Sequence, residues 1–142
     1  MTRPRHRARE AALQVLYLSE VGRATPGEAL EAYFASGEHE LNDAARAFTD
    51  ELVAGTASEA AELDALIQRH LTHWRLERVA VLDRLILRMA AWELRHHADT
   101  PPAVVLDEAI ELARTFSTDE SVRFVNGVLD GIRKGLAAGG QD

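Results

Sequence analysis

The sequence predicts an all-α protein of about six or seven helices, folded as one compact domain over residues 1–142. Apolar residues recur at three- and four-residue spacing along most of the chain, and capping residues and prolines mark where the segments start. No segment alternates apolar and polar residues over a useful length, which excludes a sheet. A chain of 142 residues with 46% hydrophobic and 27% charged residues is large enough to bury a core.

The first two predicted helices have clear boundaries. Helical spacing of apolar residues begins after Pro4 and continues until Gly22. The stretch Thr25–Glu28 is a capping box, in which a threonine hydroxyl and a glutamate carboxylate each satisfy a backbone N–H of the first turn. It predicts a short second helix that closes at Ser36 and Gly37.

The middle of the chain predicts two longer helical stretches. Asn42 is expected to cap a stretch over residues 44–71, which Gly55 and Thr56 bend or break. Residues 79–97 form the most apolar stretch, and its wide apolar arc is typical of a central helix that packs on several sides.

The last two helices are predicted from a proline and a second capping sequence. Pro102 starts a helix with a regular apolar face, and Ser117–Glu120 resembles the capping box of the second helix. Residues 136–142 are expected to form a frayed tail.

The charge distribution is uneven, and it points to a basic N-terminal arm over residues 1–9. The chain has a net charge of −7, yet this arm contains no acidic residue and four arginines, Arg3, Arg5, Arg7 and Arg9. The planar guanidinium group donates two parallel hydrogen bonds to phosphate, so the arm favours nucleic acid. A solubilising tail, or ion pairing with the acidic body of the protein, explains the same arginines. A transit peptide is disfavoured because the helical pattern continues without a cleavage site.

The sequence lacks the patterns of catalytic and cofactor sites. It contains no phosphate-binding loop, no dinucleotide-binding turn and no nucleophile elbow. Without cysteine there is neither a disulfide nor a thiolate metal site, and His70 and His73 lack further ligands at a suitable spacing. We therefore expect a protein that is not an enzyme, binds no cofactor or metal, and resides in the cytoplasm.

The last helical stretch contains Asn126 and Gly127 in its interior, where glycine is about 1 kcal/mol less favourable than alanine. Gly127 either lets another helix approach closely or belongs to a functional surface. Phe124, next to polar residues, is a candidate platform for stacking an unpaired base.

Four segments of the chain are distinctive: "RHRARE" followed by "ALQVLY", "LILRMAAWEL", "LDEAIELARTF" and "RFVNGVLD". Together they resemble the NusB family of bacterial transcription antitermination factors. The resemblance runs over nearly the whole chain and is strongest between residues 79 and 132. It implies an all-helical fold of two packed bundles, without catalysis or a cofactor.

The resemblance also implies a function and partners. Members of this family bind the single-stranded boxA element of nascent rRNA together with NusE, a small-subunit ribosomal protein. With NusA, NusG and RNA polymerase they keep rRNA transcription processive. Some members are monomers and others are homodimers, so both oligomeric states remain open.

Several positions match the functional residues of the family. The arginine-rich motif matches Arg5, Arg7 and Arg9, and the stacking phenylalanine matches Phe124. The acidic RNA-site residue of the family matches Glu120, and its aromatic position in the first helix matches Tyr17. The acidic residue that contacts NusE matches Asp83.

Two further residues are candidates for RNA binding. Arg3 is included because of the charge pattern, and Asn126 because it lies beside Phe124. His6 departs from the family, which often has a basic residue there, and this would weaken the arm at neutral pH.

Two other functions fit the sequence. The protein could be a helical protein–protein adaptor whose arginines bind an acidic partner. Similar helical domains also precede the catalytic domain of rRNA cytosine methyltransferases. We expect no such domain, because the chain ends about ten residues after the last predicted helix, too few for a cofactor-binding α/β domain.

Overall fold

The computed structural model of the protein describes residues 3–139, and this part of the chain contains seven α-helices and no strand. The prediction of an all-α fold is confirmed. The helices are α1 (Pro4–Gly22), α2 (Pro26–Ala35), α3 (Asp43–Ser58), α4 (Ala60–Gln68), α5 (Val81–His96), α6 (Pro102–Phe116) and α7 (Asp119–Gly139). A 3₁₀ turn at Leu76–Arg78 precedes α5. No helix in the described part is long and apolar enough to cross a membrane.

The chain divides into two compact helical units, Met1–Ser58 and Glu59–Asp142. In the first unit, α1 packs against both α2 and α3, and α2 also contacts α3. Leu13, Val15 and Leu52 are fully buried there. The predicted capping box of α2 is present, and hydrogen bonds from the backbone and side chain of Thr25 hold the pKa of Glu28 below its ordinary value.

The second unit is built around α5, which contacts α4, α6 and α7. Ile86, Leu87 and Met89 of α5 are buried, as predicted for a central helix. Arg88 of α5 donates two hydrogen bonds to the Asp64 carboxylate of α4, at 2.6 and 2.9 Å. This paired geometry, with the arginine side chain only 15% exposed, ties α4 to α5.

Three predicted boundaries differ from the structure. The interruption between α3 and α4 falls at Glu59, while Gly55 remains helical. The last helix is capped by Thr118, whose hydroxyl oxygen accepts from the Ser121 N–H at 3.1 Å, instead of by Ser117. Residues 136–139, assigned above to a frayed tail, belong to α7, and residues 140–142 lie outside the described residues.

Candidate nucleic-acid interface

The described part of the basic arm is the start of α1. Arg3 is extended, with φ −72° and ψ 128°, and Pro4 begins the helix, as predicted. Arg3, Arg5 and Arg7 are exposed, and the first turn of the helix contains no acidic residue. A helix N-terminus carries partial positive charge, so arginines there oppose the local stability of the helix and strengthen its attraction for anions.

Arg5 and Arg9 lie on one stripe of α1 and face the same aromatic ring. Their guanidinium carbons lie 4.2 Å and 5.2 Å from the centroid of Phe48, which belongs to α3. Arg5 is exposed, so the ring holds its guanidinium in place while leaving it accessible to a ligand. Arg9 is only 4% exposed, which does not fit its predicted phosphate contact. Arg9 packs α1 against α3, and its contact with RNA phosphate stays a prediction.

Arg7 lies on a different stripe of α1. Its guanidinium donates a 2.6 Å hydrogen bond to the backbone carbonyl of Glu40, in the loop between α2 and α3. This bond uses one of five N–H donors, so the exposed remainder can still bind phosphate. His6 is half-buried, and its Nε2 lies 3.4 Å from the Glu10 carboxylate, so it faces its own helix.

Tyr17 is 39% exposed on α1. It follows Arg7 by ten residues, or about 15 Å along the helix at 1.5 Å per residue. A ligand that contacts both residues must therefore be extended, as a single strand of several nucleotides is.

The second unit contains a groove that brings together Asp83, Glu120 and Phe124, three predicted site residues. The groove has a volume of about 440 Å³. Its lining residues are Trp74, Arg78, Val79, Ala80, Asp83, Ser117, Thr118, Glu120, Ser121 and Phe124. Phe124 is half-buried, which leaves part of its ring accessible, and Glu120 is exposed in the first turn of α7.

Asp83 has a structural role that the sequence did not reveal. It is 7% exposed, and its two carboxylate oxygens accept from the hydroxyls of Ser117 and Ser121 at 2.8 and 2.7 Å. Ser117 also explains the shift of the α7 cap, because its hydroxyl is directed to Asp83 and leaves Thr118 to cap the helix. Asp83 thus joins α5 to the α6–α7 junction, and its predicted contact with NusE remains a prediction.

Asn126 and Gly127 are exposed on α7. A Cβ atom added to Gly127 would meet nothing within 4 Å in the described part of the chain, so the close approach of another helix is wrong for this position. Gly131, one turn later, is different, because a Cβ there would lie 2.9 Å from Nδ1 of His70. Gly127 therefore gives α7 a flat, open surface next to Asn126.

Trp74 is the residue that sequence reasoning missed. Its side chain is 58% exposed at the edge of the groove. It follows "LTH" and precedes "RLER", outside any helical apolar spacing, and that position was the available signal. An exposed tryptophan on an ordered turn is typical of a binding surface.

The described residues contain no group of three or more histidine, cysteine or acidic side chains that could hold a metal ion. His70 packs against Gly131, and His96 is paired with Glu59 at 2.9 Å. These histidines have structural neighbours within the second unit.

Comparison with known proteins gives one consistent family. A model of the NusB family matches residues 6–134. The transcription antitermination protein NusB of Solibacter usitatus is 44% identical over 130 residues, covering 92% of this chain and 88% of that protein. The protein of the same name from Geobacillus kaustophilus is 44% identical over 132 residues, covering 93% of this chain and 97% of the relative.

Solved structures agree with the sequence relatives. T. maritima NusB superposes with a TM-score of 0.85 at 36% identity, covering 94% of this chain and 93% of that one. A structure described as the antitermination factors NusB and NusE in complex with dsRNA matches with a TM-score of 0.84 at 28% identity, covering 94% and 98% of the two chains. The two helical units of this chain agree with the two-bundle expectation.

Proposed function

The chain belongs to the NusB family, and from that premise we propose that it is an RNA-binding transcription antitermination factor. Its ligand is the single-stranded boxA element of nascent rRNA, and its effect is to keep RNA polymerase processive on rRNA genes. The protein performs no catalysis, in agreement with the names of its relatives, which are transcription antitermination proteins. We infer a cytoplasmic location, where bacterial rRNA is transcribed.

The observation that carries this proposal is the arginine-rich start of α1. Arg3, Arg5 and Arg7 are exposed at a helix N-terminus, on a protein whose net charge is −7. Phosphates are attracted to this site by both the guanidinium groups and the helix dipole. Most of the remaining net charge is acidic, so we propose that the arm in the first unit is the main electrostatic anchor for RNA.

We propose NusE as the protein partner, with NusA, NusG and RNA polymerase joining in the larger complex. Support comes from the matching structure, which contains NusB with NusE and RNA. Asp83, the predicted NusE contact, lines the groove of the second unit and is 7% exposed. The homodimer also remains a proposal.

Binding assays test this function directly. A boxA-like single strand, a scrambled strand and a duplex are titrated at two salt concentrations, with and without purified NusE. We expect preference for the boxA-like strand and cooperative binding when NusE is present. Equal affinity for the three nucleic acids would indicate only non-specific electrostatics, and absence of RNA binding would favour the helical adaptor.

We expect Phe124→Ala to weaken RNA binding by about 1–3 kcal/mol, because it removes a ring on which a base can stack. Phe124 is half-buried, so thermal unfolding of the variant must be measured beside its RNA affinity. Phe124→Tyr, which keeps an aromatic ring, is the matched control and is expected to retain most of the affinity. A folded alanine variant with undiminished affinity would assign Phe124 to packing alone.

Gly127→Ala is expected to raise the free energy of unfolding by about 0.5–1 kcal/mol, because the site is open and alanine is the better helix former. If RNA approaches this flat part of α7, the same change lowers RNA affinity. The matched control is Gly131→Ala, which is expected to gain less stability because its Cβ would press on His70. Urea unfolding and RNA titration of both variants measure the two effects, and unchanged RNA affinity would remove Gly127 from the interface.

A further inference from the structure

The turn that carries Trp74 is held by one side chain. The Gln68 amide donates to the Trp74 carbonyl at 2.9 Å, and its oxygen accepts from the Leu76 N–H at 2.8 Å. A single amide thus fixes the backbone on both sides of Arg75. Trp74 is therefore displayed on an ordered turn while its side chain remains 58% exposed.

The groove beside Trp74 offers the groups that bind an unpaired base. Trp74 and Phe124 supply two aromatic surfaces, with Val79 and Ala80 as further apolar lining. A carboxylate such as Glu120 accepts hydrogen bonds from the amino groups of cytosine or guanine. The Arg78 guanidinium also lines the groove and can bind a neighbouring phosphate.

The carboxylates of the groove differ in what they can offer a ligand. Both carboxylate oxygens of Asp83 already accept hydrogen bonds from serine hydroxyls. Glu120 is exposed, so its carboxylate is accessible to a ligand. Arg75 of the same turn lies 3.9 Å from the Glu77 carboxylate and does not line the groove, so Arg78 is the guanidinium that the groove offers to a phosphate. This combination favours a base with its phosphate over an apolar peptide.

We propose that this groove is a base-binding subsite, in which Trp74 stacks on one unpaired RNA base and Arg78 binds the adjoining phosphate. The inference rests on the proposed RNA-binding function and extends it with two residues, Trp74 and Arg78. Their position beside Phe124 makes the subsite continuous with the stacking site already proposed on α7. Base–aromatic stacking tolerates any base, so specificity within the subsite comes from Glu120.

Tryptophan fluorescence tests the stacking contact. The chain has two tryptophans, and Trp92 is only 6% exposed, so Trp92→Phe leaves Trp74 as the single reporter. Circular dichroism and thermal unfolding establish that this variant is folded. Titration with a boxA-like single strand is expected to quench the emission of Trp74, and the quenching should saturate together with RNA binding measured by a labelled strand.

Affinity measurements on the otherwise unchanged chain complete the test. We expect Trp74→Ala to weaken binding of the single strand about 5- to 150-fold, and Trp74→Phe to restore most of the loss. Arg78→Ala is expected to flatten the salt dependence by about one contact. Val104→Ala is the matched control, since Val104 is 42% exposed on α6 and does not line the groove.

The outcomes separate this inference from the proposed function. Unchanged affinity in Trp74→Ala, with a loss in Arg5→Ala, overturns the subsite and leaves RNA binding by the arm intact. Emission that responds to NusE and is insensitive to RNA overturns it as well, and assigns the groove to the protein partner. Absence of RNA binding by the unaltered protein, with and without NusE, overturns both proposals.

Discussion

The double variant Arg5→Ala/Arg7→Ala is expected to bind single-stranded RNA about ten- to thirty-fold more weakly at roughly 0.1 M salt, whatever the RNA sequence. Each lost phosphate contact on a single strand lowers the slope of log affinity against log salt by about 0.7. We therefore expect the slope to fall by about 1.4 in the double variant. Filter-binding or anisotropy titrations at four or more salt concentrations measure this slope.

Three controls separate phosphate contacts from loss of structure. Arg114→Ala removes an exposed arginine that is paired with Glu111 on α6, and should leave the slope unchanged. Arg5→Lys/Arg7→Lys keeps the charge and should retain most of the slope while losing the planar guanidinium geometry. Arg9→Ala is expected to lower the free energy of unfolding, because Arg9 is buried beside Phe48, and to change the salt slope little. A double alanine variant with the original slope would exclude the arm from RNA binding.

The helices could be predicted from the sequence because their signals are local. The capping box at Thr25–Glu28, the proline at position 4 and the regular apolar spacing each act within one or two turns. Gly55 shows the limit of such signals. It is unfavourable within a helix, yet α3 continues past it, since packing of α3 against α1 outweighs about 1 kcal/mol.

The candidate site was predicted only in part, because burial depends on which stripe of a helix meets its neighbour. The charge pattern identified Arg5 and Arg9 as part of the basic arm and could not show that their side of α1 faces α3. The opposite error concerned Gly127. Close contact with another helix was one of the two explanations for this glycine, but the space around it is open. Trp74 was missed because it lies in the turn between α4 and α5, outside any helical apolar spacing, and the Gln68 amide that orders this turn leaves no periodic signal.

The Asp83 carboxylate is an example in which a predicted partner contact has a structural role. Its two oxygens accept hydrogen bonds from the hydroxyls of Ser117 and Ser121, which lie 34 and 38 positions further along the chain. Thr118 then caps α7 through the Ser121 N–H. The start of α7, which carries Glu120 and Phe124, is thereby fixed to α5. We infer that Asp83 supports the groove whether or not it also contacts a partner.

Asp83→Ala is accordingly expected to lower the free energy of unfolding by about 3 kcal/mol, because hydrogen bonds to a charged group contribute about 1.5–3 kcal/mol each. The hydroxyls of the half-buried Ser117 and the buried Ser121 both lose their carboxylate acceptor. Urea unfolding with an unchanged m-value measures this loss. Asp107→Ala, at an exposed position on α6, is the control and should change stability by less than about 0.5 kcal/mol.

A double-mutant cycle distinguishes this support from a direct partner contact. If the network holds the α6–α7 junction, Asp83→Ala and Ser117→Ala/Ser121→Ala are strongly non-additive, since each change removes the same hydrogen bonds. Binding of NusE by Asp83→Ala is measured in parallel at a temperature where the variant is folded. Unchanged stability with loss of NusE binding would contradict the structural role and make Asp83 a partner contact alone. Loss of stability with NusE binding retained would leave Asp83 as the residue that fixes α7, and with it the ring of Phe124, to α5.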